Sequence, residues 1–426
     1  MFKIIGENNI WFYDAITNKI LDKNQKVIYL PNIVDHYLLF YKYRKSTYYS
    51  DDNMYFFKKD FEPDIKNTTD LVIQLGLNCN LKCVYCSQNF CTPDLPSKSD
   101  IDCFCQLLLK SKINWKNIQC IQLWGGEPLV YWKALVKIVT FIRENIQKFK
   151  GHFHITTNGT LLDKKKLDFF LKYNVKIQLS HDGVNHEVQR LTPDPLKDQK
   201  FVELMNWFLA ENWMGDINMT FGPINNPNLL DSLQYFKSKL PNVQICCRSA
   251  LRCDSTNKHL LLQYSSDNLK IAKESYYQVL TLQPKDELFH TTYPTRYRLY
   301  ELCRHFIFNR NPVNILFNCP SKQRKELCFN LKGEYIPCHG STKNMGFGLG
   351  SLDKLDTCKD INFIYFKDRP MCHGCLYTQV CQGPCGMYKN IDALIHCKST
   401  RWAWEAWFEA VWFTLFKERP IYIEKV

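Results

Sequence analysis

The chain has 426 residues, 45% of them hydrophobic and 23% charged, with a formal net charge of +13 at pH 7. That length and apolar content are enough for two or three domains with large buried cores. No apolar span is long enough to cross a bilayer, and the lysines are scattered without a nucleic-acid-binding fingerprint. We therefore predict no membrane and no nucleic-acid partner.

Cysteine is frequent, with 20 residues in the chain. An extracellular protein would use so many cysteines for disulfides, but here they cluster at the short spacings that bind metals. The start of the chain also lacks the basic residues and apolar run of a secretion signal. We expect a cytoplasmic protein in a reducing, oxygen-poor environment.

Residues 1–69 are predicted to form a small N-terminal α+β module. Strand-like runs cover residues 2–13 and 27–30, on either side of the polar turn Thr17-Asn18-Lys19. A helix is predicted over residues 33–43 and another strand over residues 54–58. The module either docks part of a substrate or covers the neighbouring domain, and the sequence leaves both roles open.

An α/β alternation begins near residue 70. The predicted strands cover residues 71–77, 118–124, 152–157, 175–180, 217–221 and 243–247. The helices between them include residues 131–149, 163–171, 200–210 and 229–239. Six strand–helix units predict a parallel, curved sheet, in which chemistry gathers at the C-terminal ends of the strands.

Three cysteines, Cys79, Cys83 and Cys86, follow the first of these strands. Their spacing suits three corners of a cubic iron–sulfur cluster, which leaves the fourth iron without a protein ligand. An open iron can bind a small molecule directly, so such a cluster can do chemistry as well as relay electrons. The alternative is a structural zinc site, because thiolates at short spacing also bind zinc.

Further motifs follow the next three strands in order. They are Gly125-Gly126-Glu127-Pro128, then His154-Ile155-Thr156-Thr157-Asn158-Gly159, then Ile177-Gln178-Leu179-Ser180-His181-Asp182-Gly183. Together with the cysteine motif they resemble the radical S-adenosylmethionine (SAM) family. The resemblance implies an α/β fold with an incomplete (β/α)6 TIM-like barrel, over residues 70–300, which fits the six predicted units.

The same resemblance implies the contents of the site. Cys79, Cys83 and Cys86 would hold a catalytic [4Fe–4S] cluster, and SAM would occupy its open iron and be cleaved to methionine and a 5′-deoxyadenosyl radical. The residues implied to contact SAM are Tyr85, Gly125, Gly126, Glu127, Asn158, Ser180 and Arg190. For Asn158, Ser180 and Arg190, ordinary hydrogen bonding at strand ends is the alternative.

A second cysteine pattern lies towards the C-terminus and is similar to the SPASM extension of radical SAM enzymes, here expected over residues 301–397. The resemblance implies two further [4Fe–4S] clusters, three in all. One would be held by Cys319, Cys328, Cys338 and Cys385. The other would be held by Cys372, Cys375, Cys381 and Cys397. Cys303 is a possible substitute in the first set, and a zinc ribbon is the alternative for the whole pattern.

The last segment, residues 398–426, is predicted to contain an amphipathic helix. One face carries an apolar stripe of Trp404, Trp407, Phe408, Val411, Trp412 and Leu415. We expect this stripe to pack in a core, since aromatic residues at helical spacing are usually buried. Docking of a peptide or of a membrane surface is the alternative.

The resemblance to this family implies several activities. The favoured one is a maturase that abstracts hydrogen from a ribosomally made precursor peptide and forms C–C or ether crosslinks, as in cyclophane and darobactin-type enzymes, with flavodoxin or ferredoxin as electron donor. Thioether formation and the formylglycine formation of sulfatase-maturing enzymes are alternatives. The latter enzymes have an aspartate after the cysteine of Gly-x4-Cys, whereas this chain has His339 there. A cluster-bearing scaffold without activity is the non-enzymatic alternative.

Overall fold

The protein is described from a computed structural model. The described residues are 1–30, 68–86, 96–211, 214–224, 227–249, 258–307, 326–336, 338, 350–357, 364, 368–381, 383–386 and 388–426. The chain forms two compact units. The first unit comprises Met1–Glu62, Leu251–Phe317 and Phe363–Val426, and the second comprises Pro63–Ala250 and Asn318–Asn362.

The N-terminal segment of the first unit forms three antiparallel strands, β1 (Phe2–Ile5), β2 (Ile10–Asp14) and β3 (Lys19–Leu21). The single strand predicted over residues 2–13 is wrong, because a tight turn closed by Gly6 N donating to Asn9 O at 2.9 Å divides it. The strand predicted over residues 27–30 is reduced to one bridge to Leu21. The helix and strand predicted at 33–43 and 54–58 lie outside the described residues.

The second unit is built on a parallel sheet. Its first six strands are β4 (Asp70–Gly76), β5 (Cys120–Gly125), β6 (His152–Thr157), β7 (Val175–Ser180), β8 (Met214–Phe221) and β9 (Ile245–Ser249). Each strand pairs in parallel with the next, so all six predicted strands are confirmed with small shifts of their ends. Most of their buried side chains are apolar, as expected of a sheet covered by helices.

Helices follow the strands. They are α1 (Lys98–Lys110), α2 (Trp132–Asn145), α3 (Lys164–Tyr173), α4 (His186–Arg190), α5 (Gln199–Ala210) and α6 (Leu229–Lys239). Their ends are set by local chemistry: Asp163 accepts from Lys166 N at 2.8 Å to begin α3, and Asn174 ends it in the left-handed conformation with φ 57°. Their buried positions are mainly leucine, isoleucine and phenylalanine, which cover the sheet.

Two further strands were not predicted. β10 (Glu326–Asn330) pairs in parallel with β4, and β11 (Tyr335–Ile336) pairs antiparallel with β10. The sheet order is therefore β11-β10-β4-β5-β6-β7-β8-β9. This arrangement confirms the α/β class and the sequential parallel strands of a partial barrel.

The rest of the first unit is mainly helical. Its elements are α7 (Ser266–Leu280), α8 (Tyr293–Ile307), α9 (Thr378–Cys381), α10 (Asn390–Phe416) and β12 (Tyr422–Lys425), which pairs antiparallel with β1. The predicted aromatic stripe lies on α10, and Trp412 packs in the core with its ring centroid 5.7 Å from that of Trp11. Core packing is thus confirmed for α10. Among the described helices, none combines the length and the apolar content needed to cross a membrane.

Candidate active site

The three-cysteine loop starts where β4 ends. Asn78, at the beginning of the loop, is fixed from two sides: its N–H donates to the Tyr131 hydroxyl at 2.6 Å, and its carbonyl accepts from Glu127 N at 2.9 Å. Further along, Val84 N donates to the carbonyl of Gln189 at 3.0 Å. The backbone of the loop is therefore tied to the segments that follow β5 and β7, at the C-terminal edge of the sheet.

The thiols of this loop interact with one another. Cys79 is exposed, Cys86 is half-buried and Cys83 is buried. Burial raises the pKa of the Cys83 thiol to about 11 and also raises that of Cys79, and in both cases the nearby Cys86 thiol adds to the effect. Iron ligation requires deprotonated thiols, so cluster binding would be coupled to proton release here.

The sulfurs of the three thiols do not all lie within 4.8 Å of one another. Among the described residues, the group that brings ligand atoms within 4.8 Å of one another is His181, His186 and Asp194, and it contains none of the three thiols. A single tetrahedral zinc with bonds of about 2.3 Å would hold its sulfurs about 3.8 Å apart. In this structure the three thiols are therefore not gathered as closely as the ligands of one zinc ion would be.

Gly125 and Gly126 allow the chain after β5 to lie against the start of the cysteine loop. Gly126 N donates to the Gly76 carbonyl at 3.0 Å. A Cβ at Gly125 would lie 2.6 Å from the Gly76 carbonyl oxygen, and a Cβ at Gly126 would collide with the Asn78 carbonyl. The two glycines are thus required by backbone packing in this chain.

Glu127 fastens the ends of β5 and β6 together. It is 1% exposed, and both of its carboxylate oxygens accept hydrogen bonds. Oε1 accepts from Thr157 Oγ1 at 2.7 Å and from Leu129 N at 3.0 Å, while Oε2 accepts from Asn158 N at 2.7 Å. Burial raises the pKa of Glu127 although these three donors favour its charged form. Oε1 already accepts two hydrogen bonds, whereas Oε2 accepts one and can accept another.

Asn158 connects β6 to the cysteine loop. Its Nδ2 donates to Asn80 Oδ1 at 2.9 Å and lies 4.0 Å from Cys79 Sγ. Its Oδ1 accepts from the hydroxyl of Thr160 at 2.7 Å, which in turn accepts from Asn80 Nδ2 at 2.8 Å. This small amide network orients the loop around the first thiol.

A buried ion pair lies after β7. Arg190 Nε donates to Asp182 Oδ2 at 2.9 Å, and Arg190 Nη2 donates to Asp182 Oδ1 at 3.1 Å. The Tyr85 hydroxyl also donates to Asp182 Oδ2, at 2.6 Å. The Asp182 carboxylate raises the pKa of Arg190 despite burial. Ser180, the last residue of β7, is half-buried beside Asn218 of β8.

Most of the residues implied to contact SAM therefore meet at one edge of the sheet. Residues 73–235 match the family model of the radical SAM superfamily. Residues 73–235 are a radical SAM domain. This confirms the family predicted from the cysteine motif and the three strand-end motifs.

Two other proteins are similar in sequence to parts of this chain. An uncharacterised protein of Methanocaldococcus jannaschii is 30% identical over 27% of this chain and 38% of its own. The radical SAM cyclopropyl synthase TigE of Paramaledivibacter caminithermalis is 25% identical over 64% of this chain and 55% of its own. The matched parts thus span between about a third and just over half of these relatives.

A solved structure shares the fold. It is native anSMEcpe with bound AdoMet and Cp18Cys peptide, with a TM-score of 0.60 and 18% identity, and the match covers 82% of this chain and 98% of that chain. Because only 18% of the aligned residues are identical, this similarity establishes a shared fold and not a shared activity. The fold shared with that structure therefore extends beyond residues 73–235 into the C-terminal part of this chain.

Beyond the end of β7, the radical SAM domain has a buried network that sequence reasoning missed. His181 Nδ1 accepts from Gly183 N at 3.0 Å, so its Nε2 carries the proton and donates to Asp194 Oδ1 at 2.8 Å. Asp194 Oδ2 accepts from the Tyr235 hydroxyl at 2.7 Å. Both nitrogens of His181 are occupied, which argues against a metal here despite the presence of His186. His181 and Asp182 lie beyond the end of β7, so the alternation of side chains along that strand could not have separated their roles.

The predicted ligands of the first auxiliary cluster are only partly described. Cys319 lies outside the described residues, and Cys338 is half-buried. Cys328 lies within β10, 1% exposed, in an apolar cluster with Val72 and Ile336. That environment favours a packing role, although the Cys338 thiol is near enough to raise the pKa of Cys328. The possible substitute, Cys303, is buried on α8 in the first unit.

The four predicted ligands of the second auxiliary cluster lie together in the first unit. Cys372 and Cys375 precede α9, Cys381 ends it, and Cys397 lies on α10. Burial raises the pKa of Cys372 to about 12, and the thiols of Cys397 and Cys375 add to this effect. The pKa of Cys381 is raised by burial and by the other three thiols. Four half-buried thiols in one place are a suitable donor set for iron.

Proposed function

We propose that this protein is a radical SAM maturase that acts on a ribosomally made precursor peptide and forms an intramolecular crosslink in it. The observation that carries the proposal is the cysteine loop, whose three thiols lie at the C-terminal edge of a parallel sheet beside the groups of Glu127, Asn158 and Arg190. The relatives support a peptide substrate by analogy, since anSMEcpe was solved with a bound peptide.

The cofactor set in this proposal is SAM with three [4Fe–4S] clusters, and the ligands of the first auxiliary cluster are proposed not to include Cys328. When bound to the cysteine loop, the first cluster and SAM supply a 5′-deoxyadenosyl radical, which removes hydrogen from unactivated carbon. Cys79, Cys83 and Cys86 hold that cluster, and Asn158 and Asn80 keep the loop in place around Cys79. Oε2 of Glu127 can accept a further hydrogen bond, and the amino group of SAM is proposed to donate it.

Arg190 and Tyr85 are proposed to shape the other side of the pocket. Asp182 neutralises Arg190 and uses two of its nitrogens, so the guanidinium keeps N–H groups for a carboxylate or ribose hydroxyl of SAM. Ser180, which ends β7 close by in sequence, offers a further hydroxyl. The SAM pocket thus combines one fixed cation with hydroxyl and amide donors.

The clusters of the C-terminal part are proposed to take up the electron left on the substrate after hydrogen loss. Crosslinking is an oxidation, because joining two positions of a peptide removes two hydrogens. A cluster ligated by four cysteines has no open iron and suits electron transfer. Flavodoxin or ferredoxin is the proposed donor for the first cluster.

The test is anaerobic co-expression with each short peptide encoded next to the gene of this protein, followed by tandem mass spectrometry. Loss of two hydrogens, with no fragmentation between the linked residues, is the expected result. A cyclopropyl group, as in the name of TigE, would also remove two hydrogens but would leave fragmentation unblocked. Exchange of a cysteine sulfur and two hydrogens for one oxygen would identify formylglycine formation, and an added oxygen would indicate an oxygen-dependent ether. An unmodified peptide together with SAM cleavage would exclude this substrate.

A further inference from the structure

Arg369 is a buried cation with unused hydrogen-bond donors. Its side chain is 0% exposed. One nitrogen, Nη2, donates to the carbonyls of Tyr388 at 2.8 Å and Cys385 at 3.1 Å. Nε and Nη1 are buried, and no described residue accepts a hydrogen bond from either. Leaving two donors of a charged group unpaired in a protein interior costs several kcal/mol, so an acceptor is expected.

The groups around Arg369 identify the kind of acceptor. Its own backbone carbonyl accepts from Cys372 N at 2.9 Å, which places it beside the turn that carries the first ligand of the second auxiliary set. Burial lowers the pKa of Arg369, and the groups that counteract burial are the thiols of Cys372, Cys385 and Cys397. Among the described residues no carboxylate pairs with it. Sulfur is therefore the available source of negative charge.

We propose that Arg369 donates Nε–H and Nη1–H hydrogen bonds to sulfur atoms of the iron–sulfur cluster held by Cys372, Cys375, Cys381 and Cys397, and raises the reduction potential of that cluster. The inference rests on the ligand set given under the proposed function. It makes Arg369 a positioning and tuning residue, which acts on the cluster and does not touch the substrate.

The physical reason is charge. A [4Fe–4S] cluster with four thiolates carries a net charge of about −2 when oxidised and about −3 after accepting one electron from the substrate radical or a chemical reductant. A buried cation and two N–H donors stabilise the more negative state more strongly. Cluster potentials are set by net charge, by hydrogen bonds to the sulfurs and by exposure to water. Arg369 would change the net charge around the cluster and the hydrogen bonds to its sulfurs.

A purely structural role would need only Nη2, which already holds the backbone between Cys385 and Tyr388. The two roles are separated by measuring the cluster itself. The background for the test is the full chain with Cys79, Cys83 and Cys86 changed to alanine, because the remaining spectroscopic signals then come from the auxiliary sites. The variants are Arg369→Gln and Arg369→Lys. The matched control is Arg401→Gln, which removes the same charge from an exposed side chain paired with Glu405 on α10.

The first measurement is a reductive titration of anaerobically purified protein followed by electron paramagnetic resonance, with iron and sulfide counted per chain. We expect Arg369→Gln to keep its iron and to shift the reduction equilibrium of one auxiliary cluster about tenfold towards the oxidised form, or about 59 mV to lower potential for one electron. Arg369→Lys should lie between this variant and the wild type, and Arg401→Gln should match the wild type. Full iron with an unchanged potential in Arg369→Gln would overturn the proposal.

The second measurement does not depend on the folding of Arg369→Gln. Chain labelled with ¹⁵N-arginine is reduced, and pulsed electron paramagnetic resonance is used to detect weak coupling between the cluster spin and guanidinium nitrogen. Coupling in the Arg401→Gln protein supports the proposal, and its absence in that protein overturns it, even where Arg369→Gln fails to retain iron. Absence of an auxiliary cluster in the unaltered background, seen as missing iron, would instead refute the ligand set itself.

Discussion

Asp182 binds Arg190 with both carboxylate oxygens, at 2.9 and 3.1 Å, and the same carboxylate accepts a 2.6 Å hydrogen bond from Tyr85. Tyr85 lies between two of the proposed cluster ligands, Cys83 and Cys86, while Arg190 ends α4. One buried carboxylate therefore connects the cysteine loop to the segment after β7. The geometry of the cluster loop and the position of the proposed SAM-binding cation depend on the same group.

The first prediction concerns this pair. Asp182→Asn keeps the volume but removes the charge, which leaves Arg190 buried and unpaired, so the free energy of unfolding should fall by about 3–5 kcal/mol. Tyr85→Phe removes one hydrogen bond to the same charged carboxylate and should cost about 1.5–3 kcal/mol. Anaerobic denaturant unfolding measures both. Equal losses in the two variants would show that the ion pair contributes no more than the tyrosine does.

The second prediction tests the cluster loop. Cys83→Ala should lower the iron content by about four atoms per chain and abolish production of 5′-deoxyadenosine, because one ligand of the first cluster is gone. Cys103→Ala, at an exposed cysteine of α1, is the matched control and should change neither quantity. Unchanged deoxyadenosine production in Cys83→Ala would refute the ligand set.

Strand positions were predictable because parallel strands buried on both faces give short apolar runs that are visible in the sequence. β4 to β9 were found in this way, and the motifs at their ends were correctly expected at one edge. β10 was missed because its partner β4 is far away in the chain, so its pairing depends on tertiary contacts and leaves no local pattern. The contacts of Glu127, Asp182 and Arg369 were equally hidden, since they depend on how loops fold back on one another.

The third prediction follows from that missed strand. Cys328 lies in β10 beside Val72 and Ile336, so Cys328→Ala should retain the iron of the wild type and reduce the free energy of unfolding by about 1–2 kcal/mol through loss of core contacts. Cys338→Ala, at a half-buried thiol, should lose iron. Iron analysis and denaturant unfolding separate the two effects. A loss of iron in Cys328→Ala equal to that in Cys338→Ala would return Cys328 to the ligand set.

The fourth prediction is a dependence of stability on pH. Burial lowers the pKa of His152 to about 4, that of His154 to about 3 and that of His186 to about 2, from 6.5 in each case. Below pH 6.5 the unfolded chain takes up protons that the folded chain does not. The free energy of unfolding is therefore not reduced by these histidines above pH 6.5. It falls as the pH drops from 6.5 towards their pKa values in the folded protein.

His186 is the residue on which to test this linkage, because it is fully buried and neither of its ring nitrogens has a hydrogen-bond partner among the described residues. His186→Leu should reduce the slope of the free energy of unfolding between pH 6 and pH 4 by about 1.4 kcal/mol per pH unit, since one proton is no longer taken up on unfolding. At pH 8 the histidine is neutral in both states, so any difference there reports packing alone. Urea unfolding at several pH values measures the slope. The same slope in the variant and the wild type would mean that His186 takes up its proton in the folded protein as well.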